Sequence, residues 1–190
     1  MKANSRQNFQ YGWFDKFLHW LIALNITATL IFSKGMSTLT DTEKLVEYGD
    51  HGMSVTTILI CMIIRVIWRA THGFPQLPLS MSALQKLAAK LVHYLLYVVV
   101  FAQISVGLFL SSTTKQDFVA TGYGINYTSL DLAPDDLHDF LLGIHINLYW
   151  VIIALIAVHV GAALKHHFID KDQVLRRMLP GATLPKDDQQ

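Results

Sequence analysis

A chain of 190 residues has the length of one domain. Hydrophobic residues make up 52%, charged residues only 15%, and mean hydropathy is +0.36, a balance displaced from soluble domains toward membrane proteins. The net charge of +1 gives no basic surface for nucleic acid, and the single cysteine, Cys61, offers neither a disulfide nor a thiolate cluster.

Four apolar runs, about 13–33, 52–69, 87–110 and 137–167, approach the roughly 20 residues needed to cross a bilayer. The first follows a long polar lead, contains Asn25, Thr27 and Thr29, and lacks a small-x-small cleavage site. It is therefore expected to be a retained helix rather than a signal peptide. The second begins near His51 and contains Arg65 and Arg69. Between the second and third runs, HGFPQLPLSMS is short and proline-rich, so the flanking helices are expected to be antiparallel neighbours. The connection from Ser111 to Pro134 is the longest and carries Gly122 and Gly124, and loops of that length are often functional. Pro134, Asp135 and Asp136 suit a first helical turn, which draws His138 into the last helix. Residues 179–190 read as a flexible tail.

Lysine and arginine set the orientation. Twelve of the fifteen lie in the two termini and the middle connection, while the other two loops carry three lysines and nine of the fourteen acids. The expected fold is an all-α, integral membrane four-helix bundle of one domain, with both termini in the cytoplasm and the acidic loops outside.

The histidines carry the chemistry. His138, His145, His159 and His166 lie at multiples of seven residues, with only Ile152 interrupting the series. Seven residues fall about 20° short of two helical turns, so these imidazoles form a stripe down one face. His145 and His159 are fourteen residues apart, about 21 Å along a helix axis. His19 is expected at the depth of His159, near the cytoplasmic side, and His51 at the depth of His145, near the outer side. Each cross-helix pair supplies both axial ligands of a haem iron, the arrangement for electron transfer. Arg65 follows His51 by fourteen residues and reaches the inner depth, where it suits a haem propionate, with Arg69 one turn nearer water. The alternative for Arg65 is snorkelling to anionic headgroups.

His166 and His93 lie near the cytoplasmic boundary, where they could bind a quinone and exchange protons with it; interfacial snorkelling is the other reading. His138 has two readings, an entry point for an external partner or a solvated side chain. His72 and His167 read as solvated. Trp13, Trp20 and Trp68 fit interfacial belts, and Trp150 fits packing.

The segments LHW at 18–20, His51, RVIWR at 65–69, LVHYLLY at 91–97 and HINLYWVIIALIAVH at 145–159 carry a resemblance over nearly the whole chain. ALKHHFIDKD at 163–172 and LRRM at 175–178 are its most distinctive parts. The chain resembles the bacterial cytochrome b561 family, dihaem b cytochromes of the inner membrane related to hydrogenase cytochrome b subunits. The resemblance implies two b haems on His19, His51, His145 and His159, and a site for ubiquinone or another quinone near His166. It also implies electron transport between the quinone pool and an external redox partner. Superoxide:ubiquinone oxidoreductase and haem-bearing anchor of a hydrogenase or dehydrogenase are alternatives within the family, and a haem-free metal or proton transporter is the alternative outside it. The acidic outer loops should repel superoxide anion rather than steer it.

Overall fold

A computed structural model describes residues 10–76 and 81–182. The chain is helical almost throughout: α1 spans Trp13–Phe32, α2 Asp41–His72, α3 Ala83–Ser112 and α4 His138–Phe168. Two short strands, β1 (Val119–Ala120) and β2 (Ile125–Asn126), pair antiparallel in the long loop before α4. α1 runs along α2 and α3 along α4, while β1 rests on α2.

Three segments, Thr42–His72, Ala83–Ser112 and Asp135–Phe168, are long and apolar enough to cross a membrane. α1, with 20 residues, carries Asp15, Lys16 and His19 in its first two turns. α2 starts eleven residues before the expected 52. Thr40 caps it by accepting from the Glu43 amide while the Glu43 side chain accepts from the Thr40 amide. This reciprocal cap satisfies donors that the first turn leaves unpaired, and it lets a charged stretch continue the helix out of the apolar layer. Ser82 and Gln85 form the same box at the start of α3.

Burial is inverted relative to a soluble protein. Leu24, Ile31, Ile67, Leu84, Phe140 and Val158 are each more than half exposed, as side chains facing lipid would be. The apolar core runs between all four helices through Leu18 and Ile22, Ile58 and Met62, Val100 and Ile104, and Ile152. On α4 only Ile152 and His166 are fully buried, and both belong to the seven-residue stripe. The stripe therefore faces the bundle, and its one apolar member, Ile152, fills the middle.

The hairpin covers one end of the bundle. Ala120 has no exposed surface and seats against Gly52, where an added Cβ would come within 3.0 Å of Ala120 Cα. Thr56 bonds Tyr127, Phe118 packs between Tyr48, edge-on, and Tyr127, tilted, and the Thr121 amide donates to the Gly49 carbonyl. At the opposite end, the chain after α4 is tied to α1. Lys16 Nζ donates to the carbonyls of Leu179 and Ala182, and Trp20 Nε1 to that of Met178. Arg177 is buried beside Tyr11 and donates to the Gln76 carbonyl, and burial lowers its guanidinium pKa from the ordinary value. The tail expected from 179 is thus hydrogen-bonded as far as 182, and its remainder, 183–190, lies outside the described residues.

Candidate functional site

The stripe on α4 meets two partners from other helices. His19 of α1 and His159 face each other with ring centroids 6.2 Å apart, and His51 of α2 and His145 with centroids 6.4 Å apart. A ring nitrogen lies about 1.1 Å from its centroid and forms metal bonds of about 2.0 Å, so imidazoles sharing one metal on opposite sides sit about 6.2 Å apart. Both observed separations match that requirement. The two pairs are separated by two turns of α4 on either side of Ile152.

The pair nearer the hairpin holds polar atoms that the protein leaves unsatisfied. His145 Nδ1 and Gln103 Oε1 are both buried without a partner, while Gln103 Nε2 lies 3.2 Å from His145 Nε2. Buried polar atoms normally find partners, so these two mark a place that another group completes. Gly107 of α3 backs the same ring, since a Cβ there would lie 3.1 Å from His145 Cε1. Ser33 Oγ contacts His51 Nδ1 at 3.1 Å, and Phe118 from the hairpin lies 6.4 Å from the His51 ring. These imidazoles, their spacing and the orphaned atoms all fit haem.

Around the other pair the charged groups are already engaged. Arg65 Nε donates to Tyr97 Oη at 2.8 Å and Nη1 to the Asp15 carbonyl at 3.1 Å. Arg69 is 6% exposed, and its Nη2 lies 3.0 Å from Asp15 Oδ1, an ion pair off the hydrogen-bond axis. Tyr11 and Phe74 cover the Arg69 guanidinium at 4.8 and 5.0 Å. Arg69 Nη1 also donates to the Gly73 carbonyl at 3.3 Å, so each of the two arginines is held through two of its nitrogens.

His93 and His166 do not share a neighbourhood. His93 lies on an exposed face of α3, 5.1 Å from the His159 ring, and its Nδ1 donates to the Ala89 carbonyl. His166 is buried at the end of α4, with Nδ1 2.6 Å from Asp172 Oδ2 and 3.2 Å from Asp170 Oδ2. Lys171, in the left-handed region at φ 54°, turns the chain so that the Asp172 amide donates to the His166 carbonyl. His166, Asp170, Asp172 and Gln85 line a cavity of about 260 Å³. His93 lies eight residues beyond Gln85, about 12 Å further along α3.

His138 Nδ1 lies 2.8 Å from Thr113 Oγ1. His72 is exposed and stacks on Trp68 at 3.6 Å. The contacts from Ser33, Gln103, Phe118 and Tyr97 carried no signal in the sequence, because each joins separate elements. Asp172 stood in a distinctive motif without a spacing that revealed its partner.

These features define a helical membrane protein with paired imidazoles at two depths, a class built for metal-centred electron transfer. A family profile described as prokaryotic cytochrome b561 matches residues 10–181. Cytochrome b561 homolog 2 of Escherichia coli is 33% identical over 174 residues, covering 90% of this chain and 91% of the relative. Cytochrome b561 homolog 1 of the same organism is 28% identical over 171 residues, covering 86% and 93%. A probable superoxide oxidase CybB of Yersinia pestis is 27% identical over 123 residues, covering 65% and 69%. The chain belongs to the prokaryotic cytochrome b561 family of haem-binding membrane electron-transport proteins.

Proposed function

We propose that this protein crosses the bacterial inner membrane four times, with both termini in the cytoplasm, and carries electrons between a quinone and an external redox partner through two b haems. The observation that carries this reading is the matched spacing of the two imidazole pairs. His19 and His159 would hold the haem at the inner level, and His51 and His145 the haem at the outer level. Haem held there would supply a one-electron couple at each level.

The remaining residues orient, insulate and move protons. Ile152 fills the space between the levels with apolar surface. Arg65 would pair with an inner propionate, with Arg69, held by Asp15, one turn nearer water. Phe118 and the hairpin shield the outer pair from water. Quinone reduction takes up two protons with two electrons, so an inner site needs a proton-bearing group beside it. His166, oriented by Asp172, serves a quinone headgroup at the cytoplasmic cavity, and His93 serves the lipid-exposed side beside His159.

Superoxide oxidation is the alternative activity, and the acidic outer loops speak against an anionic donor. The test uses purified protein in liposomes containing a reduced quinone. The expected result is quinol-dependent reduction of a haem with b-type absorption, lowered in His166→Ala although haem content is unchanged. Absence of haem absorption would remove the reading. Unchanged quinol reduction in the variant would remove His166 from the quinone site. Faster reduction by superoxide than by quinol would favour the alternative.

A further inference from the structure

We infer that Ser33 is a positioning residue for His51, one that decides which imidazole nitrogen is free for metal and so tunes the outer centre alone. The inference rests on His51 being an axial ligand. Ser33 closes α1, and its Oγ lies 2.6 Å from the Thr29 carbonyl oxygen and 3.1 Å from His51 Nδ1. A hydroxyl has one proton and two lone pairs. Two oxygens at 2.6 Å repel unless a proton lies between them, and a carbonyl has none to give. The Ser33 proton is therefore committed to Thr29.

What remains for His51 is a lone pair. Its Nδ1 must carry the ring hydrogen and donate it to Ser33, which leaves Nε2 unprotonated in the neutral imidazole. That is the nitrogen a metal takes, and the bond on the far nitrogen fixes the ring's rotation. The Thr29 carbonyl is itself held, because the Ser33 amide also donates to it at 2.9 Å. The orientation of His51 is thus set by the last turn of a neighbouring helix. The facing ligand differs, since His145 Nδ1 has no partner. Hydrogen bonding from the distal nitrogen makes an imidazole a stronger electron donor and favours the oxidised metal. Ser33 should therefore lower the potential of one haem and leave the other untouched.

The experiment is a redox titration of haem-loaded protein with electron paramagnetic resonance of the oxidised form, on Ser33→Ala, Ser33→Thr and Ser105→Ala. Ser105 is the control, a serine whose hydroxyl donates to the Phe101 carbonyl within α3. Ser33→Ala is expected to raise one midpoint potential and shift the largest g value of that haem, while the threonine and control variants resemble the parent. Loss of one haem in Ser33→Ala, restored in Ser33→Thr, would support the same role. Two unshifted haems in Ser33→Ala, or a threonine variant behaving like alanine, would overturn it. His51→Ala separates the two levels of the claim. If it keeps both haems, the ligand assignment itself fails; if it loses one while Ser33→Ala is silent, only the role of Ser33 fails.

Discussion

The imidazole of His93 lies 5.1 Å from that of His159, closer than His159 lies to His19, whose ring is 6.2 Å away. The level away from the hairpin therefore holds three histidines from three helices, and they are not equivalent. His93 is exposed on α3 and gives its Nδ1 hydrogen to Ala89, so its Nε2 is a lone-pair nitrogen. His93→Ala is expected to keep both haems and to slow quinol-dependent reduction by about 10²-fold, the lower end for loss of a general acid–base group. Stopped-flow reduction at matched haem content checks this. Loss of a haem would instead make His93 a ligand.

Asp15 and Arg69 form an ion pair with side chains 12% and 6% exposed. Removing one partner leaves a charge in a dry place, at a cost of about 3–5 kcal/mol. Asp15→Ala should therefore lower the thermal unfolding temperature in detergent markedly. Lys165 and Asp170 also pair, at 2.6 Å, but Lys165 is 49% exposed. Lys165→Ala should cost no more than about 1 kcal/mol. Equal effects would contradict the distinction drawn from burial.

Gly107 leaves 3.1 Å between a hypothetical Cβ and His145 Cε1. Alanine there must push the imidazole aside, an overpacking cost of about 1–3 kcal/mol. Gly107→Ala should weaken or shift the spectrum of one haem and spare the other. Absorption spectra and haem content read this directly.

Lys16 is buried, and its ammonium group binds two carbonyls of the segment after α4. Lys16→Met keeps the stem but strips those carbonyls of a charged donor, costing about 1–3 kcal/mol. Amide hydrogen exchange at 176–182 should accelerate while haem content stays constant.

The imidazole pairs were legible in the sequence because depth in a membrane helix follows residue number at 1.5 Å per residue. His145 and His159 could be placed at their levels without knowing any contact, and His19 and His51 followed from their positions at the ends of apolar runs. The start of α2 was missed although its capping box at Thr40 and Glu43 is written in the sequence. The charged stretch 41–50 reads as a loop when apolarity alone marks a helix. The bond between Ser33 and His51 and the pairing of Asp15 with Arg69 depend on how neighbouring helices rotate, which no local pattern encodes.

The central claim is that four imidazoles act as two pairs. Its most direct measurement is the reduced-minus-oxidised spectrum, with haem counted per chain, of His19→Ala, His159→Ala, His51→Ala and His145→Ala. The prediction is two haems in the parent, loss of the same haem from the first two variants, and loss of the other haem from the last two. If His19→Ala and His159→Ala removed different haems, or any of the four variants retained both, the pairing would be contradicted.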